Sequence, residues 1–398
     1  MTNLPQGWEV KKLEEIANIK GGKRLPKGEN LLDSNTKFAY IRVADFQDNG
    51  TINLQNIKFI NENTYNVLKN YKIYDDNLYI SIAGTIGKSG IIPKELNGAI
   101  LTENAVKLEY IQNNISNKFM YFFTLSNIFK TQIQTSTKIV AQPKLAITRL
   151  KQIQIPLPPL KEQERIVGIL DESFAKIDES IKILEQDLLN LDELMQSALQ
   201  KAFNPLKDNA KENYKLPQSW EWKSLEEISE NISAGGDKPK NCTESKTAKN
   251  QIPVYANGVN NNGLVGYTDK ATIIKPSLTI SARGTIGFVC IRKEPYFPIV
   301  RLISLIPCEN ILCLHYLYFC LNFFIAKGEG SSIPQLTIPK FKSLQIPLPP
   351  LKEQEQIAEH LDFVFEKAKA LKELYTKELK DYEELKQSLL DKAFKGEL

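Results

Sequence analysis

The sequence has few residues of the kinds that mark disulfide-rich, membrane-spanning or metal-dependent proteins. It has five cysteines in 398 residues and no CxxC pair, so neither a disulfide framework nor a cysteine zinc site is expected. Its two histidines, His315 and His360, have no matching cluster of cysteines or carboxylates. The first residues lack a signal-peptide pattern, and the longest apolar run, 311–326, is too short to cross a bilayer. These features predict a cytoplasmic protein without a metal site, in which 311–326 contains a buried helix.

Motifs for nucleotide binding and catalysis are also absent. Residues 84–89 (Gly-Thr-Ile-Gly-Lys-Ser) resemble the end of a Walker phosphate loop, but that loop requires glycine at position 82, which is isoleucine. The matching residues 284–289 lack the lysine as well, so both copies are interpreted as glycine turns between strands. The sequence shows no catalytic triad, no methylase cofactor motif and no motif like Asn-Pro-Pro-Tyr. A self-contained methylase–nuclease is therefore not expected, and no catalytic residue is assigned.

Charge is distributed unevenly along the chain, although the net charge is only +4. Residues 1–150 contain 19 basic and 13 acidic residues, a net charge of +6, and residues 206–343 contain 17 and 12, a net charge of +5. Residues 151–205 carry −4 and residues 344–398 carry −3. Because clustered basic residues suit a polyanion, the two basic segments are candidates for contact with DNA.

The chain contains an internal repeat. Leu-Pro-Gln-x-Trp-Glu occurs at 4–9 and again at 216–221. The longest match aligns 153–203 with 344–394, where 25 of 51 positions are identical without a gap. The segments before these stretches match loosely, and the second is about 21 residues shorter than the first. Two variable domains are therefore each followed by an element of fixed length.

Each 51-residue element predicts a long helix. Prolines such as Pro158 and Pro159 commonly precede a helix, and Glu162 and Glu164 favour its first turn. Apolar residues then recur at alternating steps of four and three, as in a coiled coil. Two helices of about 43 residues would each be about 65 Å long and could pair antiparallel, either to fix a distance or only to stabilise the chain. The predicted helix-pairing residues are Ile177, Ile181, Leu184, Leu188, Leu191, Leu371, Tyr375, Tyr382, Leu385 and Leu389.

Each basic segment predicts a mixed α/β domain. Short strand-like runs are separated by turns rich in Gly, Asn and Asp, and an aromatic helix follows. Because these aromatic residues recur at helical spacing among other apolar residues, they are predicted to be core rather than a platform for stacked bases. The predicted strands are 38–43, 78–82, 105–108, 252–256, 278–282 and 302–306, and the predicted aromatic helices include 119–123 and 316–320.

Polar residues of the loops are candidates for DNA contact. Lys and Arg suit phosphate and guanine, whereas Asn and Gln suit the edges of adenine. Each could equally be an ordinary solvated loop residue. The candidates are Lys23, Arg24, Lys27, Arg42, Lys88, Lys138, Gln142, Lys144, Lys238, Lys240, Asn257, Asn260, Arg283, Ser331, Ser332 and Gln335.

These motifs together resemble one family over essentially the whole chain. The Leu-Pro-x-x-Trp-Glu openings, the Gly-Thr-Ile-Gly turns and the two Ile-Pro-Leu-Pro-Pro-Leu-x-Glu-Gln segments, 155–163 and 346–354, resemble the specificity subunit (HsdS) of type I restriction–modification systems. The resemblance implies an α+β fold in which two globular mixed α/β target-recognition domains alternate with two long helices that pair as an antiparallel coiled coil. The implied domains are recognition domains at 1–150 and 206–343 and long helices at 151–205 and 344–398.

The resemblance also implies the biochemical role. Each recognition domain would read one half of a bipartite, asymmetric DNA site, while the helices fix the spacer and dock two methylation subunits (HsdM), to which restriction subunits (HsdR) are added. Those partners, not this chain, would use S-adenosylmethionine, Mg²⁺ and ATP in DNA methylation and host defence. The partner-docking candidates are Glu162, Gln163, Glu353 and Gln354.

Two points stay open at the level of sequence. The second copy reads Ile-Pro-Gln at 333–335 where the first reads Gln-Pro-Lys at 142–144, so the contacts made there are expected to differ. The alternative function is a helical scaffold that bridges partners without recognising DNA. Binding to DNA with a steep dependence on salt would separate the two functions, because phosphate contacts release counterions.

Overall fold

The computed structural model describes residues 4–136, 144–203, 217–325 and 336–398. The chain divides into two compact units, Met1–Leu184 with Lys377–Leu398 and Glu185–Thr376. The boundaries predicted near 150, 205 and 343 separate the globular segments from the long helices along the sequence. The two compact units instead divide each long helix near its middle. Each unit therefore contains a globular domain and one half of each long helix.

The first unit contains three β-sheets among its described residues. Strands β2, β9, β6 and β7 form an antiparallel sheet in that order, and β4, β3, β8 and β5 form a second sheet with a parallel β3–β8 pair. Strands β1 and β10 pair antiparallel, with Glu9 opposite Leu157. The strands are β1 (Glu9–Lys12), β2 (Ala17–Gly21), β3 (Ala39–Ile41), β4 (Lys58–Phe59), β5 (Lys72–Ile73), β6 (Leu78–Ser81), β7 (Ser89–Ile91), β8 (Ala99–Leu101), β9 (Ala105–Tyr110) and β10 (Gln154–Leu157).

Helices cover the first antiparallel sheet. The Ser116 hydroxyl accepts a hydrogen bond from the Phe119 N–H, which caps the aromatic helix at its first turn. Its rings, including Phe119 and Phe123, pack on Leu78, Ile80 and other buried side chains of the sheet. The helices are α1 (Leu13–Ile16), α2 (Glu62–Val67), α3 (Asn117–Leu125), α4 (Asn127–Ser136), α5 (Ile147–Lys151) and the first long helix α6 (Leu160–Phe203), which continues into the second unit.

The second unit repeats this plan with a smaller second sheet. Strands β12, β18, β15 and β16 form an antiparallel sheet, β14, β13 and β17 form a second, and β11 pairs with β19. The strands are β11 (Glu221–Ser224), β12 (Ser229–Ala234), β13 (Ile252–Tyr255), β14 (Leu264–Thr268), β15 (Ser277–Ile280), β16 (Val289–Arg292), β17 (Phe297–Pro298), β18 (Ile303–Pro307) and β19 (Gln345–Leu348). The helices are α7 (Leu225–Ile228), α8 (Leu314–Phe324), α9 (Ile338–Lys342) and the second long helix α10 (Leu351–Ala393).

The predicted fold class is confirmed. The long helices have 44 and 43 residues, and each begins directly after a pair of prolines. The six predicted strands correspond to β3, β6, β9, β13, β15 and β18, and the predicted aromatic helices to α3 and α8. Tyr316 and Phe319 are almost completely buried, which confirms that the aromatic residues of α8 belong to the core. The last residue of the apolar run, Ala326, lies outside the described residues.

Each long helix ends inside a globular core of the other repeat. In the first unit, Phe394 after α10 is 1% exposed, and its ring centroid lies 5.1 Å from that of Phe119 and 5.5 Å from that of Phe123. In the second unit, Phe203 of α6 is fully buried, 5.7 Å from Tyr316 and 5.4 Å from Phe323. Each core is therefore completed by a residue from the helix of the other repeat.

The helices run antiparallel within each unit. In the first unit the Arg165 guanidinium donates to the Leu398 carbonyl at 2.7 Å, and Lys386 pairs with Asp178 at 2.5 Å. In the second unit Lys372 pairs with Asp192. The predicted seam residues of α6 lie along the contact: Ile177, Leu184 and Leu191 are buried, and Ile181 and Leu188 are half-buried.

The seam of α10 differs from the prediction at two residues. Leu371 and Leu385 are 37% and 45% exposed, so they do not lie in the seam, whereas Tyr375, Tyr382 and Leu389 are half-buried. The lysines that follow them, Lys372 and Lys386, occupy the seam instead. A step of one residue turns the side chain by about 100° around the helix, and a lysine can cover apolar surface with its stem while its amino group reaches a carboxylate.

Candidate nucleic-acid interface

Three loops of the first unit meet at one end of the sheet β2-β9-β6-β7. The Gly22 N–H donates to the Ala105 carbonyl and the Lys23 N–H donates to the Leu101 carbonyl, both at 2.9 Å. The Ile82 N–H donates to the Asn104 carbonyl at 2.8 Å. These bonds bring together residues 22–27, 82–88 and 102–104, which we name the first loop cluster.

Glycines permit this close approach. A Cβ atom on Gly22 would lie 2.0 Å from the Thr102 carbonyl oxygen, so any side chain there would displace the neighbouring loop. Gly84 and Gly87 have φ angles of +78° and +88° and form the turn between β6 and β7. This confirms that the motif at 84–87 is a glycine turn between strands.

Basic side chains are exposed on the first loop cluster. Lys23, Arg24 and Lys27 are exposed, and Lys144, whose backbone pairs with Ala83, is exposed beside them. Arg24 donates to the Glu103 carboxylate at 2.8 Å. Burial alone would raise the pKa of Glu103, but the hydrogen bonds it accepts, chiefly from Arg24, lower the pKa overall. Arg24 is thus held over the loop cluster as a fixed cation with most of its side chain open to solvent.

The second unit contains a corresponding loop cluster. The Gly235 N–H donates to the Leu302 carbonyl and the Arg301 N–H donates to the Gly235 carbonyl, both at 2.8 Å. The Leu336 N–H donates to the Ala282 carbonyl at 3.2 Å, as the Leu145 N–H does to Ile82 in the first unit. The second loop cluster therefore comprises residues 235–240, 256–263, 282–287 and 299–301, again at one end of the larger sheet.

Three DNA-contact candidates make side-chain bonds within their own unit. Arg42 holds the buried Asp45 carboxylate with hydrogen bonds of 3.0 and 2.5 Å. The Asn257 amide oxygen accepts from the Ala282 N–H at 2.8 Å, and its NH₂ donates to the Val300 carbonyl at 2.6 Å. Lys88 pairs with Asp48 and is only 23% exposed. The polar groups of Arg42 and Asn257 are bonded within the loops that they stabilise, and the assignment of these residues to DNA contact stays a prediction.

The other candidates divide by exposure and by position. Lys238, Lys240, Asn260 and Arg283 are exposed in the second loop cluster, as are Lys23, Arg24, Lys27 and Lys144 in the first. Lys138, Gln142, Ser331, Ser332 and Gln335 lie outside the described residues. The difference in contacts expected between residues 142–144 and 333–335 also falls outside the described residues, except at Lys144.

Strained backbone in the second loop cluster indicates a residue that the sequence did not reveal. Val300 and Arg301 have φ angles of +55° and +59°, although neither is glycine and Val300 is β-branched. Val300 is 51% exposed, and Arg301 is exposed as well. Such strain persists where the surrounding structure imposes it, here through Asn257 and Gly235, and it is concentrated at binding sites. Arg301 is therefore an additional candidate for contact with a base.

Replacing Arg301 with alanine should weaken binding to the recognised site by about 1–3 kcal/mol and relax the requirement for one base of one half-site. The measurement is binding to duplexes in which each base pair is changed in turn. Lys223→Ala is the control. Lys223 lies in β11, which precedes the first residue of β12, whereas the loop cluster follows the last residue of β12. Equal weakening on every duplex would show that Arg301 contacts only phosphate.

The four partner-docking candidates are not alike. Gln163 and Gln354 are 1% and 0% exposed, and all their described hydrogen bonds are made within their own unit. We correct their assignment, because a buried amide presents no surface to a partner. Glu162 is paired with Arg165 at 2.8 Å, and Glu353 accepts from the Trp220 indole at 3.0 Å. Both glutamates are half-buried.

The described residues lack two features, a membrane-spanning helix and a metal-binding cluster. No helix there is both long and apolar enough to cross a membrane. No group of three or more His, Cys, Asp or Glu side chains in the same residues could hold a metal ion.

Comparison with known proteins identifies the family. The model of the type I restriction modification DNA specificity domain matches the chain twice, at residues 5–188 and 217–380. The chain belongs to this family. A putative type I specificity subunit of Mycoplasma pneumoniae is 29% identical over 357 residues, which cover 88% of this chain and 87% of that relative.

Solved structures share the fold. A chain from a study of complex assembly and conformational transition in the type I restriction–modification system matches with a TM-score of 0.82 at 20% identity, covering 100% of both chains. The HsdS subunit from Thermoanaerobacter tengcongensis matches with a TM-score of 0.63 at 21% identity, covering 100% of this chain and 98% of that one. The specificity subunit therefore has the expected repeated architecture.

Family membership gives the general role. This specificity subunit recognises DNA sequence in a type I restriction–modification system. Subunits of this family are in general not catalytic, and they act with DNA and with modification and restriction subunits.

Proposed function

We propose that each loop cluster reads one half of a bipartite DNA site. The observation that carries this proposal is the repetition of the cluster: glycine-dependent contacts gather exposed basic side chains at the same end of the larger sheet in both units. The side chains differ between the copies. Lys23 and Arg24 in one and Asn260 and Arg301 in the other would contact different bases, so the site is asymmetric.

The long helices fix the spacer between the half-sites in this proposal. Support comes from their nearly equal lengths, 44 and 43 residues, beside globular segments whose lengths differ. Their acidic surfaces would face protein partners rather than phosphate. Two methylation subunits would dock on the helical regions, because the repeat offers the same kind of surface twice, and restriction subunits would join them in the cytoplasm. S-adenosylmethionine, Mg²⁺ and ATP would be used by those partners, and the catalytic activities would reside there.

Exchange of one recognition domain tests independent reading of the half-sites. Replacing residues 1–150 with the equivalent domain of another family member should change one half-site and leave the other half-site and the spacer unchanged. The measurement is the methylome of a host that expresses the chimera with its methylation subunit. The parent chain in the same host is the control, and a change in both half-sites would contradict two independent readers.

A further inference from the structure

Gln163 joins the first recognition domain to α6 through a fully bonded amide. Its side-chain oxygen accepts from the Ser116 N–H at 2.9 Å. Its NH₂ donates to the Asn114 carbonyl at 3.1 Å and to the Pro158 carbonyl at 2.9 Å. Since the side chain is 1% exposed, loss of the amide would leave one N–H and two carbonyls without these partners in a buried place.

Gln354 makes the same three bonds in the second unit. Its oxygen accepts from the Cys313 N–H at 2.9 Å. Its NH₂ donates to the Ile311 carbonyl at 2.9 Å and to the Pro349 carbonyl at 2.7 Å. The side chain is 0% exposed. The bonded domain segments differ in sequence: residues 114–116 are Asn-Ile-Ser and residues 311–313 are Ile-Leu-Cys. The amide nevertheless holds the backbone of both segments in the same way.

A side-chain contact to an aspartate forms a second link at the same place in each unit. Lys118, the second residue of α3, pairs with Asp171 of α6 at 2.6 Å. Nδ1 of His315, the second residue of α8, lies 2.6 Å from the Asp362 carboxylate of α10, within hydrogen-bond distance. The aspartates occupy matching positions of the 51-residue repeat. Each domain is therefore attached to its long helix at two points, one buried and one partly exposed.

These attachments lie at the end of the sheet opposite the loop cluster. Strand β9 begins at Ala105, which bonds Gly22 of the loop cluster, and ends at Tyr110, shortly before Asn114 and Ser116. Six strand residues span about 17 Å, so a tilt of about 10° at the attachment would move the loops by about 3 Å. That displacement is close to the rise of one base pair, about 3.4 Å.

We propose that Gln163 and Gln354 are positioning residues that fix the tilt of each recognition domain on its long helix, and thereby the spacer length that the subunit accepts. The proposal rests on the proposed function, because it takes the two loop clusters as readers of the half-sites. Neither amide touches DNA. Each acts through the backbone of its domain, with the contact to Asp171 or Asp362 as a weaker second link.

The test is the spacer preference of the assembled complex with methylation subunits. Binding is measured by competition among duplexes that carry the methylome-defined half-sites at the native spacer and at one base pair more or fewer. In the double variant Gln163→Ala, Gln354→Ala, the preference for the native spacer should fall about tenfold, while the half-site bases stay the same. Each single glutamine variant should lose less of the spacer preference. The double variant Asp171→Asn, Asp362→Asn should lose less again, because the contacts of these aspartates are partly exposed.

Two controls separate positioning from loss of stability. Gln186→Ala removes an exposed glutamine from the same helix and should leave the preference unchanged. Ile60→Ala removes a fully buried side chain, directly after β4, from the core beside the other sheet of the first unit, so it should lower the melting temperature without touching the attachment. If the alanine variants do not fold, Gln163→Met and Gln354→Met remove the amide but keep about the same side-chain length without a buried charge, and should show the same loss of preference.

The outcomes distinguish the two proposals. A variant that melts like Ile60→Ala but keeps the native preference would show that the glutamines only stabilise the fold, and the positioning role would be wrong. A parent complex that shows no spacer preference would overturn the proposed function together with this inference. Loss of preference in the glutamine variants alone supports the inference.

Discussion

A specificity subunit that lacks one heptad in both long helices should prefer a spacer about three base pairs shorter. Deleting residues 179–185 with 379–385 shortens each helix by about 10 Å, and B-DNA rises about 3.4 Å per base pair. The deletions leave the Asp178–Lys386 pair of the first unit and the Asp192–Lys372 pair of the second unit in place. A seven-residue step also preserves the phase of the heptad seam.

The preferred spacer would be read by selecting bound duplexes from a library with fixed half-sites and spacers of varied length. Three base pairs also turn the DNA by nearly a third of its helical repeat, so the shortened subunit should bind its best duplex more weakly than the parent binds its own. Deletion of 179–185 alone is the control, because it shortens α6 and leaves α10 at its full length. An unchanged spacer in the double deletion would show that the helices do not fix the distance.

The repeated architecture could be predicted because its signals are local. Prolines at 158–159 and 349–350 give the starts of α6 and α10, and the heptad pattern indicates that the two helices pair. The error at Leu371 and Leu385 has a physical origin. A heptad pattern assigns apolar residues to the seam, but Lys372 and Lys386 enter it because their stems are apolar and aspartates face their amino groups.

The candidate site was less predictable because its geometry depends on partners distant in sequence. Arg42 and Asn257 have the composition of DNA-contact residues, yet they hold Asp45 and the backbone of Ala282 and Val300. Arg301 is the converse case: it became a candidate through a left-handed backbone that no local signal requires. Gln163 was recognised as important from its repeated motif, but only the fold shows that it faces inward.

Replacing Phe394 with alanine should destabilise the first unit by about 3–5 kcal/mol, the cost typical of deleting a large buried aromatic side chain. Phe394 is 1% exposed and packs between Phe119 and Phe123, so the deletion leaves a cavity in the core of a domain that lies far away in sequence. Since a domain is stable by about 5–15 kcal/mol, much of the first unit's stability would be lost. Phe203→Ala should do the same to the second unit.

Amide hydrogen exchange, read separately for each unit, measures this effect. Phe394→Ala should lower protection in strands β2, β6 and β9, whereas Phe203→Ala should lower it in β12, β15 and β18. Phe363→Ala is the matched control, because Phe363 lies on α10 but is 62% exposed, so its loss should change stability by less than about 0.5 kcal/mol. If Phe394→Ala left β2, β6 and β9 protected, the first core would be complete without the end of α10. The expected result instead means that neither domain reaches its full stability until the helix of the other repeat has been made.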